Sequence, residues 1–411
     1  MTHILLRHRD IPNINQFDVY KKNGGLAAFK NAVTAMKPED VTKVVKDSGL
    51  RGRGGAGFPT GTKWSFIDNK NWPHYVVVNA DESEPGTFKD REIMEGNPLQ
   101  FLEGVALCAY AVSANVAYVY LRGEFWQLAA ALDEKIAQLE EAGYLGDKLF
   151  GGEYSLRIHT HLGAGAYICG EESALLESLE GKRGQPRVRP PFPPSVGLFG
   201  KPTIVNNVET FANVQPILAN GADWYKSMGT ADSPGVKVFS LSGRVKNPGN
   251  YELPLGTTFR DLIFKHGGGI VDDHKIKAIM PAGASSSMIV ADDKALDTPM
   301  DYASVRTLGA DLGSASIIVV DDTVSAEWVI GKTVHFFKHE SCGKCTPCRE
   351  GTYWMSNVVQ RMEHGRKKED VDLLLNVAKQ MQGKCLCALG EFATMAVTTG
   401  IERFPEDFKT V

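Results

Sequence analysis

Tyr75-Val-Val-Val-Asn-Ala-Asp-Glu-Ser-Glu-Pro-Gly86 is the stretch on which the fold turns. Tyrosine and three valines in a row make a short apolar run without alternation, the pattern of a strand buried on both faces. Polar residues take over at Asn79, and Pro85-Gly86 closes the stretch, so the chain leaves the strand as a loop. Ligands gather at the carboxyl ends of strands in open α/β sheets. Asn79 can donate and accept there, while Asp81, Glu82 and Glu84 accept when ionised. Such a set suits sugar hydroxyls, ring N–H groups or a metal. A solvated acidic turn is the plainer alternative.

Working outward, the pattern on both sides is α/β. Upstream, residues 38–47 predict a helix, with Pro38 in the first turn, Val41, Val44 and Val45 on one face and Ser48-Gly49 as a stop. Downstream come a helix over 98–112, a strand over 116–121, a long helix near 124–142 and a strand over Tyr154–His161. A glycine loop at 163–170 then leads into a helix over Glu171–Leu179. Alternating strands and helices predict a sheet covered by helices. Lys182–Pro194 is rich in proline and basic residues and predicts an extended loop. Gly104–Leu121 carries no charge, but its alanines and its β-like second half predict a buried helix running into a buried strand, not a membrane span.

Two glycine loops flank this framework. Gly49-Leu-Arg-Gly-Arg-Gly-Gly-Ala-Gly-Phe-Pro-Thr-Gly61 lets backbone amides turn inward and clears side chains from the path of a phosphate or a flat ring. Arg51, Arg53 and Lys63 add positive charge. Gly52, Gly54 and Gly57 satisfy the spacing of the dinucleotide fingerprint, but that loop should follow a strand and open a helix. Here a helix precedes it, so a phosphate-bearing cofactor is expected without the usual dinucleotide geometry. Gly163-Ala-Gly-Ala-Tyr-Ile-Cys-Gly-Glu-Glu172 repeats the logic at a helix start. Asn206-Asn-Val-Glu-Thr210 predicts another helix start, one asparagine capping it.

From about residue 235 the texture changes. Val236–Gly243 predicts a strand, Asn247–Asn250 a turn, Tyr251–Leu253 the return, Thr258–His266 a short helix and Ile317–Val320 a final strand. From Ser325 the periodicity is helical, broken at Gly383–Cys387 and at the loop Glu340-Ser-Cys-Gly-Lys-Cys-Thr-Pro-Cys-Arg349. Cys342, Cys345 and Cys348, each separated from the next by two residues, offer three thiolates to one inorganic core. A cubane iron–sulfur cluster needs these and a fourth. Spacing leaves Cys385 and Cys387 both open as that fourth ligand. Zinc competes, but zinc sites usually use two separated pairs. His335 is followed by Phe336, which excludes the zinc-protease HExxH motif. Cys108 and Cys169 read as buried inert thiols. No GxSxG elbow and no GxxxxGK[ST] loop is present.

The chain has 411 residues with 43% hydrophobic and 23% charged residues, enough for two or three domains with real cores. A net charge of −4 gives no reason to expect a nucleic-acid partner. Seven cysteines, an odd number clustered at metal spacing, point to a reducing compartment and not to a disulfide scaffold. The N-terminus shows neither a signal nor a transit peptide.

Residues 49–59, 79–86, 166–172 and 340–351 together resemble, in order, the motifs of the flavin subunit of respiratory complex I, the family of F-type or 51 kDa subunits of NADH-quinone oxidoreductase. The resemblance implies three domains: a Rossmann-like FMN/NADH domain over 1–235, a ubiquitin-like β-grasp (SLBB-type) domain over 236–324, and a helical [4Fe–4S] domain over 325–411. It implies FMN and one [4Fe–4S] cluster as cofactors and NADH as substrate. Gly52, Arg53, Gly54, Gly55 and Gly57 would wrap FMN and NADH, with Lys63 near the flavin phosphate. Asn79, Asp81 and Glu82 would meet the flavin ring or ribityl chain. Tyr167, Gly170 and Glu171 would line its pocket, and Asn206, Asn207 and Thr210 would lie near its phosphate. Glu84 and Glu172 would position NADH, and Phe58, Phe66 and Phe192 would sandwich its adenine. Arg189 stands where the family often has lysine and keeps the charge.

The family's Cys-Ala-Leu-Gly motif makes Cys387 the fourth cluster ligand and leaves Cys385 as an extra thiol. No side chain is named as catalytic, because the cofactors carry the chemistry. The implied partners are a thioredoxin-like [2Fe–2S] subunit of the E type and a larger multi-cluster subunit of the G type. The implied location is peripheral, without direct membrane insertion, on the cytoplasmic side of the bacterial inner membrane. The alternative within the resemblance is the diaphorase subunit of an NAD-coupled hydrogenase, a formate dehydrogenase or an electron-bifurcating complex.

Overall fold

The computed structural model describes residues 2–367 and 369–409. Its first sheet is all parallel, with strands β1 (Tyr75–Ala80), β2 (Val116–Leu121), β3 (Arg157–Leu162) and β4 (Thr203–Asn207) in the order β3-β2-β1-β4. The valine run is central, and its period-2 alternation serves two cores. Val76 and Val78 join one apolar cluster with Val105 and Phe211, whereas Val77 joins another with Leu175, Leu176 and Val205.

The helices that matter here are α1 (Pro38–Asp47), α2 (Lys89–Gly96), α3 (Pro98–Ala111), α4 (Trp126–Glu141), α5 (Glu172–Leu179) and α6 (Val208–Asn220). The start of α1 is fixed by Pro38 and by the Lys37 N–H donating to Asp40 Oδ2 at 3.2 Å. Every residue of α3 is buried, and β2 follows it, so the uncharged stretch is a core helix running into a core strand. The reason α3 can lie so close to α6 is Gly104: a Cβ there would stand 1.9 Å from the Phe211 carbonyl oxygen.

Some boundaries differ from expectation. The third strand begins at Arg157, after the Gly146–Leu156 bridge. The long helix begins at Trp126, and β4 had no counterpart in the sequence reading. Thr203-Ile-Val-Asn-Asn207 is short and follows a proline-rich loop, so its strand character comes from pairing with β1. Asn207 is nevertheless the cap of α6, its side chain accepting from the Glu209 N–H at 3.0 Å.

The middle region is a five-stranded mixed sheet of β5 (Val236–Gly243), β6 (Gly249–Pro254), β7 (Ile276–Met280), β8 (Ile289–Val290) and β9 (Ser316–Asp321), ordered β6-β5-β9-β7-β8. β5 and β9 pair in parallel at the centre, and the remaining pairs are antiparallel. β7 and β8 also went unread, being short and broken by a bulge. Phe239, Leu241, Phe259 and Leu262 fill this core. The last region packs α7 (Ala326–Glu340), α8 (Thr346–Gly365), α9 (Asp370–Met381) and α10 (Ala388–Arg403). Its core of Val334, Met355, Leu374 and Val397 is continuous with the Val77 side of the parallel sheet. The helices that hold the cysteines therefore rest on the sheet that carries the glycine loops. Among the described residues no helix is long and apolar enough to cross a membrane.

Candidate functional site

The carboxyl end of β1 opens into a cleft of about 560 Å³. That volume falls in the range of cofactor and ligand sites. Its floor is the first glycine loop, where Gly52, Gly54, Gly55 and Gly57 line the cavity beside Phe58 and Lys63. Gly57 has φ of +70°, and a Cβ on it would meet the Tyr302 ring at 2.7 Å, so this turn admits only glycine without rearrangement. Asn79, Asp81, Glu82 and Glu84 line the cleft from the end of β1. Asn79 Nδ2 donates to the Gly170 carbonyl at 2.8 Å, which joins the two glycine loops. Tyr167, Gly170, Glu171, Glu172 and Arg189 face the same space, as do Asn206, Asn207 and Thr210 from the end of β4 and the start of α6. Arg189 pairs with Glu171. Lys63 Nζ bridges Glu172 Oε2 and the Val205 carbonyl, each at 2.8 Å.

The carboxylates are tied down differently. Glu82 accepts from the backbone N–H groups of Asp90 and Arg91 at 2.7 and 2.9 Å and so caps α2. Glu84 accepts from the Tyr167 hydroxyl at 2.7 Å and from the Ser285 N–H at 2.8 Å. Asp81 takes the Ser83 hydroxyl on Oδ2, while its buried Oδ1 has no protein partner. Burial pushes all three carboxyls up to about 7, against the opposing pull of these hydrogen bonds. An unpartnered acceptor, bare backbone amides and a lysine around one cavity fit a phosphorylated flavin with ring N–H groups.

Three expected residues are placed otherwise. Arg53 is fully buried, and its guanidinium faces away from the cleft onto Tyr225, Val236 and Pro234. The side chain anchors the root of the loop and does not line the cleft. Phe66 and Phe192 lie outside the cavity lining, each more than half exposed. Phe66 sits 6.2 Å from the Phe58 ring, and Phe192 pairs with no ring among the described residues. Conversely, Ala282, Ser285, Arg306 and Ser314 of the middle domain line the cleft and were not foreseen. Their local sequence carries no ligand signal; only the packing of that domain brings them there.

A second hollow, of about 10 Å³, is lined by Cys342, Cys345, Cys348 and Cys387, with Ile168, Pro186, Leu386 and Leu389 around them. Cys385 is not in the lining; its thiol turns back to the Met381 carbonyl at 3.5 Å. Cys345 and Cys387 occupy the cap positions of α8 and α10 without a side-chain cap bond. Thiolates there gain from the helix dipole. Burial pushes Cys348 and Cys387 up to about 11, so iron must displace protons to bind. Among the described residues no three His, Cys, Asp or Glu side chains converge tightly enough for a single ion. Zinc would draw its thiolates to ~2.3 Å, whereas a cubane spreads its four ligands more widely. His335 bonds Ser356 at 3.2 Å, and Cys108 and Cys169 are buried thiols raised by burial, as read from sequence. Ile168 and Leu389 line both hollows, so one apolar wall separates the cleft from the four cysteines.

A flavin-sized cleft sharing a wall with a cluster-binding cysteine set defines an electron-transfer flavoprotein component. Comparison with known proteins agrees. Residues 45–216 match the Nuo51 FMN-binding domain, 238–289 the SLBB domain and 328–411 the NADH-ubiquinone oxidoreductase-F iron-sulfur binding region. The F subunit of the Mycobacterium bovis NADH-quinone oxidoreductase is 47% identical over 99% of this chain and 93% of its own length. The F subunit numbered 2 in Rhizobium meliloti is 46% identical over 98% and 96%, and that of Aquifex aeolicus 44% over 99% and 93%. A solved NAD+-reducing [NiFe]-hydrogenase in the H2-reduced state is similar with a TM-score of 0.85 and 37% identity. This chain is covered to 93% but spans only 63% of the hydrogenase chain.

The chain belongs to the family of F subunits of NADH-quinone oxidoreductase. It is an oxidoreductase whose cofactors are FMN and one [4Fe–4S] cluster.

Proposed function

We propose that this chain is the electron-input component of a bacterial respiratory complex I, oxidising NADH and feeding electrons through its cluster to partner iron–sulfur subunits on the way to quinone. The observation that carries this reading is the shared wall of Ile168 and Leu389 between cleft and cysteines. When bound in the cleft, FMN supplies the junction between a two-electron donor and a one-electron acceptor. The chain's own residues hold and select. Gly54, Gly55, Lys63, Asn206, Asn207 and Thr210 receive the phosphate end, and Asn79, Asp81 and Glu82 the ring and ribityl chain. Glu84, fixed between Tyr167 and Ser285, and Glu172, fixed by Lys63, position NADH. Those carboxylates repel an additional 2′-phosphate and favour NADH over NADPH. Phe58, Phe66 and Phe192 at the exposed rim receive the adenine. Cys342, Cys345, Cys348 and Cys387 ligate the cluster.

The partners are a thioredoxin-like [2Fe–2S] subunit of the E type and a multi-cluster subunit of the G type. The location is peripheral, on the cytoplasmic face of the inner membrane. The similarity to the NAD+-reducing hydrogenase supports a second reading as a diaphorase component. Its decisive sign would be a hydrogenase subunit copurifying with the chain.

Anaerobic absorption and low-temperature EPR before and after NADH test the proposal. Flavin bands that bleach with NADH, with a [4Fe–4S]⁺ signal under sufficient reduction, are expected. A colourless protein with stoichiometric zinc would overturn it.

A further inference from the structure

Beneath the first glycine loop lies a cluster of charges shut away from water. Lys89, Glu209 and Lys237 are each fully buried. Lys89 Nζ stands 2.8 Å from Asp90 Oδ1 and 2.8 Å from Glu209 Oε2, and Lys237 Nζ lies 3.3 Å from the same Glu209 oxygen. Glu209 Oε1 accepts from the Val238 N–H at 2.8 Å. Two buried lysines on one carboxylate are hard to justify by stability, because desolvation consumes most of what pairing returns.

Lys237 makes one further bond. Its Nζ donates to the Arg53 carbonyl at 2.7 Å. The Arg53 N–H donates to Thr210 Oγ1 at 2.8 Å, and its guanidinium holds the Tyr225 hydroxyl at 2.8 Å and the Pro234 carbonyl at 2.7 Å. Arg53 is therefore pinned at both polar atoms of its main chain and at its side chain.

The carbonyl of one residue and the N–H of the next point in opposite directions across a trans peptide. With the Arg53 oxygen drawn onto buried Lys237, the Gly54 N–H turns toward the cleft that Gly54 lines. That N–H has no protein acceptor among the described residues. A Cβ on Gly54 would stand 2.7 Å from Asn207 Cβ, so the amide also lies beside the turn from β4 into α6.

We propose that Lys237, on the first strand of the middle sheet, is a positioning residue for the flavin. It sets the Arg53–Gly54 peptide so that the Gly54 N–H donates to the phosphate of FMN. The inference rests on the reading of the cleft as the FMN site. It makes the middle domain a working part of flavin recognition, because β5 supplies the group that aims the loop.

The flavin-depleted full chain, titrated with FMN and with riboflavin by flavin fluorescence, tests this, since riboflavin lacks the phosphate. Lys237→Met is expected to reduce the preference for FMN over riboflavin about tenfold, the weight of one charge-assisted hydrogen bond. Riboflavin affinity and iron content should stay unchanged, and Lys237→Arg should restore most of the preference. An unchanged preference in Lys237→Met, or a parallel loss for both ligands, would overturn the inference. If Lys237→Met does not fold, Tyr225→Phe removes the hydroxyl that holds the Arg53 guanidinium outside the cleft and is read by the same outcomes. A wild-type chain that binds no FMN would instead overturn the reading of the cleft.

Discussion

The cleft and the cysteine hollow share a wall but are built on opposite terms. In the cleft most polar groups already answer one another: Asn79 to Gly170, Lys63 to Glu172, Glu82 to the start of α2, Glu84 to Tyr167 and Ser285. The cavity is roomy, and its shape is fixed by strand ends and glycine turns. In the hollow, Cys348 meets the Ser341 hydroxyl at 3.3 Å, and Cys345 and Cys387 stand at helix starts that no side chain caps. A protein-made frame survives loss of its ligand. A ligand-made frame does not, since metal-binding energy is then folding energy. Flavin should therefore be a guest of the first region, and the cluster a structural part of the second.

The largest expected effect breaks the second region alone. Cys345→Ala or Cys387→Ala should abolish the cluster and lower stability of the helical region by at least ~3 kcal/mol. Flavin content should hold above half. Cys385→Ser should leave iron content unchanged, because that thiol is outside the hollow. Iron and acid-labile sulfide assays with calorimetry read all three. A cluster kept in Cys387→Ala and lost in Cys385→Ser would reverse the assignment.

The mirror experiment breaks the first region alone. In Gly54→Ala the new Cβ would meet Asn207 Cβ at 2.7 Å and Cγ at 2.9 Å. FMN affinity should fall by tenfold or more, ~1.4 kcal/mol at least. Iron content should be unaffected, while the thermal midpoint of the flavin-free chain should fall slightly as the Asn207 cap shifts. If Gly54→Ala instead loses its cluster, the two regions are not independent and the contrast fails.

How much of this was legible in the sequence divides along the same line. The hollow was read nearly whole, because Cys342, Cys345 and Cys348 are close in sequence and soft ligands at that spacing have few other uses. Spacing leaves Cys385 and Cys387 both open; the turn before α10 brings Cys387 to the hollow and turns the Cys385 thiol back to Met381. The inner cleft was legible from glycine density and from the polar residues that end β1. Its far wall was not. Ser285 and Arg306 lie in an ordinary-looking domain, and only tertiary packing brings them to Glu84 and the cavity. The place of the Arg53 side chain was hidden for a related reason: charge in a glycine loop reads as facing a ligand, whereas this guanidinium is buried at the loop's root. β4 and β8 escaped because short strands take their character from neighbours.

The rim of the cleft should respond more mildly than its floor. Phe58 is 52% exposed and tilts against Phe66, so it offers a flat face to an incoming ring. Phe58→Ala should raise the KM for NADH several-fold, ~1 kcal/mol, with kcat little changed. A fall in kcat at constant KM would place Phe58 in the chemistry and not at the rim.

The smallest effect separates the two regions by pH. Asp81, Glu82 and Glu84 have carboxyls raised to about 7 by burial. A carboxyl raised on folding contributes stability that is complete below its unfolded value and is lost as pH rises through its folded value. The flavin-free chain should thus lose stability between pH ~4 and ~7, by ~1 kcal/mol for each group after allowance for the open cleft. Cys348 and Cys387 are silent in that window, because burial pushes both up to about 11. Lys237, lowered to about 7 by burial, acts in the opposite sense only above that pH. Asp81→Asn should flatten the slope between pH 5 and 7 without moving iron content, read from thermal midpoints across that range. A slope untouched by Asp81→Asn would mean that solvent in the cleft already screens the carboxylate, and the polar floor would then be softer than its hydrogen bonds imply.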